Sequence, residues 1–145
     1  MYQTKQEHHL RNVKLKFLGK EYYWVPFRKA LNTFLTEKAN VSEDKLLGAF
    51  YMKAGELKDP KAIKNKLLLY LREDVLRHNW KALFGRPTFS QIADAYDKSE
   101  GDLFNPAFIT SLTELNARYT LESDSTASKA PVEGDDAARS MKNPD

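Results

Sequence analysis

The feature that most constrains the fold of this chain is an uninterrupted apolar run from Leu67 to Leu71. It follows Asp59-Pro60, a pair typical of a helix start, because aspartate caps the first turn and proline needs no N–H donor there. In a helix, the five side chains of this run surround the axis, so the helix must be buried on most sides. We therefore predict a central helix, on which Asp74 must find a partner or reach the surface.

The segment 12–24 has the alternating pattern of a β-hairpin. Apolar residues at every second position indicate a half-buried strand, namely Val13, Leu15 and Phe17. The sequence Leu18-Gly19-Lys20 supplies a turn, and the aromatic residues that follow it favour a return strand. The pattern therefore predicts two antiparallel strands near the N-terminus.

Three more helices are indicated by caps and apolar stripes. Pro26 suits the first turn of a helix whose apolar stripe continues to about Asn40. Thr88 and Gln91 match a capping box, and Asn105-Pro106 opens the last helix. We predict a mainly α fold, a small helical domain at residues 11–118 with an N-terminal β-hairpin.

The two ends of the chain differ from this domain in composition. Residues 1–10 are polar, and we predict that they are flexible. From about Leu121 the sequence is acidic, has no aromatic residue and shows no periodicity. Such composition does not bury enough apolar surface to fold, so we predict a disordered acidic tail at residues 119–145.

The motifs of nucleotide-hydrolysing enzymes are missing from the sequence. A phosphate-binding loop needs spaced glycines followed by lysine and serine or threonine, whereas Gly19-Lys20 precedes glutamate. No apolar strand ends in paired acids that could hold magnesium. We therefore expect a protein without enzyme activity, catalytic residues or a cofactor.

Neither a metal site nor a membrane location is expected. Cysteine is absent, and His8 and His9 are adjacent in a segment that does not fix their geometry. His78 follows a helix, where a cation favours the helix dipole. No apolar run is long enough to span a membrane, and the N-terminus lacks the apolar core of a signal peptide. We expect a cytoplasmic protein.

The charge distribution leaves nucleic acid open as a partner. Residues 1–90 hold 18 Lys and Arg against 9 Asp and Glu, whereas residues 91–145 hold 5 against 11. A basic body can bind an acidic partner, and a solvated lysine-rich surface has the same composition. The candidate contacts to nucleic acid are Lys14, Lys16, Lys20, Arg28 and Lys29.

From about Trp24 to Tyr96, the order of motifs resembles the C-terminal lid region of McrB-type AAA+ restriction ATPases. The matching segments are, in order, WVPFRKALN from Trp24, EDKLLGAF from Glu43, KNKLLLYLREDV from Lys64, ALF from Ala82 and TF from Thr88. Two features depart from the family. Ala49-Phe50 stand where many members carry His-Ser, and the nucleotide-binding core that precedes the lid is absent from this sequence.

The resemblance implies a non-catalytic, lid-like fragment or accessory subunit of a restriction or phage-defence system. Its partners would be AAA+ ATPase subunits or a McrC-like nuclease. Lys45 and Gly48, in the same turn, are the residues we nominate for binding a nucleotide held by another chain, with Lys45 reaching toward its phosphate. Gly48 also suggests a backbone conformation that other residues disfavour. The alternatives are a basic nucleic-acid-binding accessory protein and a gene remnant without a function.

Overall fold

The computed structural model describes residues 10–129, with side chains described through residue 122. It begins with the predicted hairpin, formed by the antiparallel strands β1 (Lys14–Phe17) and β2 (Lys20–Tyr23). Leu18 and Gly19 connect the strands as a two-residue turn, with φ values of 56° and 77°. Two-residue hairpin turns of this kind require positive φ, because their twist then matches that of the strands.

A helical body follows the hairpin, as predicted. Its helices are α1 (Trp24–Ala39), α2 (Ala54–Leu57), α3 (residues 60–75), α4 (Phe89–Asp97) and α5 (Pro106–Lys129). The predicted caps are confirmed at three helix starts. The side chain of Asp59 accepts a hydrogen bond from the backbone N–H of Lys61, that of Thr88 from Gln91, and that of Asn105 from Ala107.

Helix α3 is the central helix that the apolar run predicts. It begins with Pro60–Ala62 and continues through two wider, π-helical stretches, Ile63–Leu68 and Leu71–Val75. The side chains of Leu67, Leu68 and Leu71 are fully buried. Its buried residues belong to the same hydrophobic core as those of the hairpin and the other helices.

Aromatic rings join the hairpin to the two long helices. The ring of Phe17 from β1 stacks on Phe27 of α1 at 5.1 Å between centroids, and it meets Phe104 edge-on at 5.2 Å. Phe108 of α5 contacts Phe27 at 6.0 Å and Phe34 at 5.6 Å. Such pairs stabilise a core beyond their buried area, so α1, α5 and the hairpin are fixed relative to each other.

The described structure extends beyond both predicted ends of the helical domain. Helix α5 continues to Lys129, beyond residue 118, where we predicted that the helical domain ends. The Tyr119 hydroxyl donates to the carbonyl of Arg11 at 2.7 Å, and its ring lies 5.2 Å from Tyr23, so tertiary contacts hold the helix where apolar periodicity has stopped. Leu10, assigned to the flexible N-terminus, is only 5% exposed and packs in the core. Residues 1–9 and 130–145 of the predicted flexible ends lie outside the described residues.

Arg86 ties the segment before α4 to the loop after it. Its Nε donates to Asp102 at 2.8 Å, its Nη2 pairs with Glu100, and its Nη1 lies 3.7 Å from Asp94. These hydrogen bonds raise the pKa of Arg86, and the bond from Arg86 lowers the pKa of Asp102. The network therefore stays charged at neutral pH and holds Asp102 against the backbone of Gly85.

Candidate functional site

The turn that carries the central motif of the resemblance is held from two sides, and we call residues 43–51 the clamped loop. On the α1 side, Asn32 binds the backbone of Leu47 twice: Nδ2 donates to its carbonyl and Oδ1 accepts from its N–H, both at 2.9 Å. Arg28 Nη1 donates to the same carbonyl at 3.0 Å. Because the Leu47 side chain is also buried, the middle of the loop is fixed to α1.

Two tyrosines hold the clamped loop on the α3 side. The Tyr70 hydroxyl donates to the carbonyl of Lys45, and the Tyr51 hydroxyl donates to the carbonyl of Lys66, each at 3.1 Å. Their rings lie 5.2 Å apart. Burial raises the pKa of Tyr51 to about 12 and also raises the pKa of Tyr70. Both phenols are therefore protonated donors at neutral pH.

Lys45, the residue nominated for a nucleotide phosphate, lies on the outer side of the clamped loop. Its side chain is 45% exposed, and its Nζ lies 3.1 Å from Asp74 Oδ1. This is the partner that Asp74 needed on the central helix. Lys45 also lines a groove of about 450 Å³ together with Arg77 and His78. Exposed ion pairs contribute little to stability, so an anion that binds Lys45 more tightly, such as a phosphate, can displace Asp74.

Gly48 does not have the role inferred from its residue type. Its φ lies outside the left-handed region, and no heavy atom lies within 4 Å of the position that a Cβ would take. The expectation that this turn needs a glycine conformation is therefore wrong. The turn is held by Asn32 and the tyrosines, and alanine fits at position 48 without strain.

The structure adds Phe50, which the sequence analysis did not nominate. Its side chain is 47% exposed at the end of the clamped loop. Among residues 10–122, the exposed large apolar residues are Phe50 and Leu121. The available signal was Ala49-Phe50, which stand where many members of the family that the chain resembles carry His-Ser.

The five cations nominated for nucleic acid are divided between two places. Lys14, Lys16 and Lys20 lie together on the hairpin. Lys14 is 4.0 Å from Glu21, and its Nζ lies 5.0 Å from the ring centroid of Tyr23. Arg28 instead holds the clamped loop, and Lys29 is exposed on α1. In the strand register Lys14 and Lys16 lie on one face of the hairpin, whereas Lys20 pairs with Phe17 on the other face. The five nominated cations therefore do not share one surface.

We predict that Asn32→Ala loosens the clamped loop. The substitution leaves both backbone groups of Leu47 without their Asn32 partners, which costs about 1–3 kcal/mol in the free energy of unfolding for a buried group left unsatisfied. Chemical denaturation measures the loss, and faster amide hydrogen exchange within residues 43–51 locates it. Asn65→Ala is the matched control, because Asn65 is exposed on α3. Equal exchange in the two variants would contradict the clamp.

Neither a metal-binding cluster nor a membrane-spanning helix is present in the part of the chain that the structure describes. In residues 10–129, no group of three or more His, Cys, Asp or Glu residues is placed to hold a metal ion. No helix within the same range combines the length and hydropathy needed to cross a membrane.

Comparison with known proteins gives one relative. The chain is similar to the type II restriction enzyme BsuMI component YdiS of Bacillus subtilis (strain 168), with 38% identity over 104 residues. The similarity covers 68% of this chain and 30% of the relative, so the chain spans about a third of the length of the protein it matches. No protein-family model and no solved structure matches the chain.

Proposed function

We propose that this chain is a non-catalytic helical module of a restriction system, related to the lid of McrB-type AAA+ ATPases, and that it works by packing against an ATPase subunit. Two observations support the assignment to a restriction system. The relative is a restriction enzyme component, and the chain matches less than a third of it, as expected for one module of a larger protein. The mainly helical fold with its hairpin agrees with the fold that the resemblance implies.

The observation that carries the packing role is Phe50 on the clamped loop. Burying an exposed aromatic side chain against a partner removes its apolar surface from water, and aromatic residues dominate the binding energy of many interfaces. The backbone around Phe50 is already fixed by Asn32, Tyr51 and Tyr70. A rigid loop binds with a smaller loss of conformational entropy than a flexible one.

Lys45 extends this proposal toward the nucleotide of the partner. It lies in the same loop as Phe50, and its ion pair with Asp74 is exposed. In a packed assembly, we place its ammonium toward a phosphate held by the neighbouring ATPase subunit. The chain contributes no hydrolysis of its own in this proposal, because the motifs for binding phosphate and magnesium are missing from its sequence.

The test is co-purification of the full chain with a McrB-like ATPase from the same cells, followed by binding of the two purified proteins. We expect Phe50→Ser to weaken binding by about tenfold or more, since losing a buried aromatic anchor costs at least about 1.4 kcal/mol. The variant should remain folded, because Phe50 is exposed in the isolated chain.

Leu121→Ser is the matched control, because Leu121 is 69% exposed and lies on α5. We expect this variant to bind the ATPase as tightly as the unmodified chain. If the unmodified chain binds no such ATPase, or if both variants bind equally well, packing through the clamped loop is wrong. If the chain is a gene remnant, we expect that the unmodified chain binds no such ATPase.

A further inference from the structure

A second concave surface lies beside the hairpin turn and is independent of the clamped loop. It is a groove of about 450 Å³ between the hairpin, the end of α2 and the C-terminal end of α4. We call it the hairpin groove, and the lining residues used below are Lys14, Lys16, Leu18, Lys58, Pro60 and Tyr96. The fold brings together residues from three separate parts of the sequence, so no single segment of the sequence predicts the site.

The hairpin groove has an excess of positive charge. Two carboxylates line it, and each has a lysine partner: Glu21 lies 4.0 Å from Lys14, and Asp97 lies 2.8 Å from Lys64. Their negative charge is therefore balanced locally.

Two further lysines of the hairpin groove remain without a carboxylate. Lys16 and Lys58 are exposed, and neither is within 4 Å of an acidic group among residues 10–122. Glu21 stands opposite Lys16 in the strand ladder, but its ion pair is with Lys14. The lining therefore attracts anions.

The other side of the hairpin groove is apolar. Tyr96 packs edge-on against Phe17 at 5.6 Å, so its ring is held in a fixed orientation. Its hydroxyl makes no hydrogen bond to any residue within the described range and is not enclosed, and the residue lines the groove. Leu18 and Pro60 add apolar surface next to it.

We propose that the hairpin groove binds a single strand of nucleic acid. Lys16 and Lys58 neutralise phosphates, and Lys14 joins them because its exposed 4.0 Å pair with Glu21 is weak. The wall of Tyr96, Leu18 and Pro60 receives the faces of unpaired bases. Positively charged grooves with aromatic walls bind single strands in this way. A duplex keeps its base faces inside the stack, so the apolar wall gives it no advantage.

The experiment uses the full chain and a labelled oligothymidine of about fifteen nucleotides, with fluorescence anisotropy as the readout at about 50 mM salt. Three lysine contacts predict that log affinity falls by about two units for each tenfold rise in salt. In the double variant Lys16→Glu with Lys58→Glu, we expect an affinity loss of about tenfold or more and a salt slope reduced to about one contact. Tyr96→Leu should weaken binding at least about fivefold, while Tyr96→Phe, which keeps the ring, should not.

The double variant Lys29→Glu with Lys38→Glu is the matched control, because both lysines are exposed on α1 and the change in net charge is identical. We expect its affinity to stay close to that of the unmodified chain, and circular dichroism verifies the fold of every variant.

Several results would overturn the proposal. The first is no binding of oligothymidine at low salt, and the second is equal affinity for a duplex of the same length. A third is an equal loss in the α1 control, which would mean attraction by net charge alone. A fourth is competition by polyglutamate as effective as by oligothymidine, which would assign the groove to acidic peptides. The co-purification experiment on Phe50 is unaffected by any of these outcomes.

Discussion

Gly85→Ala is expected to destabilise this domain more than any other replacement of a glycine in the described structure. A Cβ at position 85 would lie 2.0 Å from the carbonyl oxygen of Asp102 and 3.0 Å from its carbonyl carbon. Both atoms belong to the backbone, so no side-chain rotation relieves the overlap. Either the segment around Gly85 or the loop around Asp102 must move.

Movement on either side breaks other contacts. The N–H of Gly85 donates to the carbonyl of Leu103, and the N–H of Asn105 donates to the carbonyl of Leu83 at 2.6 Å. Phe84 and Phe104 form a bridge between the same segments, and both side chains are buried. We expect a loss of about 3 kcal/mol or more, at the upper end for overpacked sites. That is a large part of the roughly 5–15 kcal/mol that stabilises a small domain.

Thermal and chemical denaturation measure this loss, and Gly55→Ala is its matched control. Nothing lies within 4 Å of a Cβ at position 55, and Gly55 is in helix α2, where alanine is favoured by about 1 kcal/mol over glycine. We expect the control to be neutral or slightly stabilising. A Gly85→Ala protein as stable as the control would show that the two backbones are not in close contact.

Leu67→Ala should destabilise the domain by about 2–5 kcal/mol, the range for deleting a buried leucine side chain. Leu67 lies in α3 and is fully buried, so the substitution removes apolar contacts and leaves a cavity at the centre of the core. We expect the same range for Leu71→Ala, since Leu71 is equally buried in the same helix. Urea denaturation gives the change in the free energy of unfolding.

Leu121→Ala makes the same chemical change at a residue that is 69% exposed. We expect its effect to remain within about 0.5 kcal/mol, as for most surface substitutions. Comparable losses at positions 67 and 121 would mean that the end of α5 belongs to the core and that α3 is not the central element.

Local sequence patterns predicted most of the fold, because the forces that decide them act over a few residues. The alternation of apolar residues gave the hairpin, and Asp59-Pro60, Thr88 and Asn105-Pro106 marked three helix starts that the structure confirms. The sequence did not indicate how far α5 extends. The turn at Tyr119 is held by contacts of this residue with Arg11 and Tyr23, which are about a hundred positions away.

The candidate site was predictable only in part. The motif from Glu43 to Phe50 identified the loop, but residue type assigned the wrong role to Gly48 and did not show that Phe50 is exposed. Arg28 was nominated for nucleic acid, whereas in the structure it holds Leu47. The sequence does not distinguish a charged side chain that faces solvent from one that donates a hydrogen bond to a buried carbonyl.

The sequence by itself determined the hairpin, three helix starts, the buried central helix and the lack of motifs for nucleotide hydrolysis, because each depends on residue type and short spacing. The tertiary structure decided which residues meet. It placed Asn32 against Leu47, Gly85 against Asp102, and Lys58 and Tyr96 beside the hairpin lysines. These contacts join residues from different segments of the chain, and only the packing of those segments against one another brings them within reach.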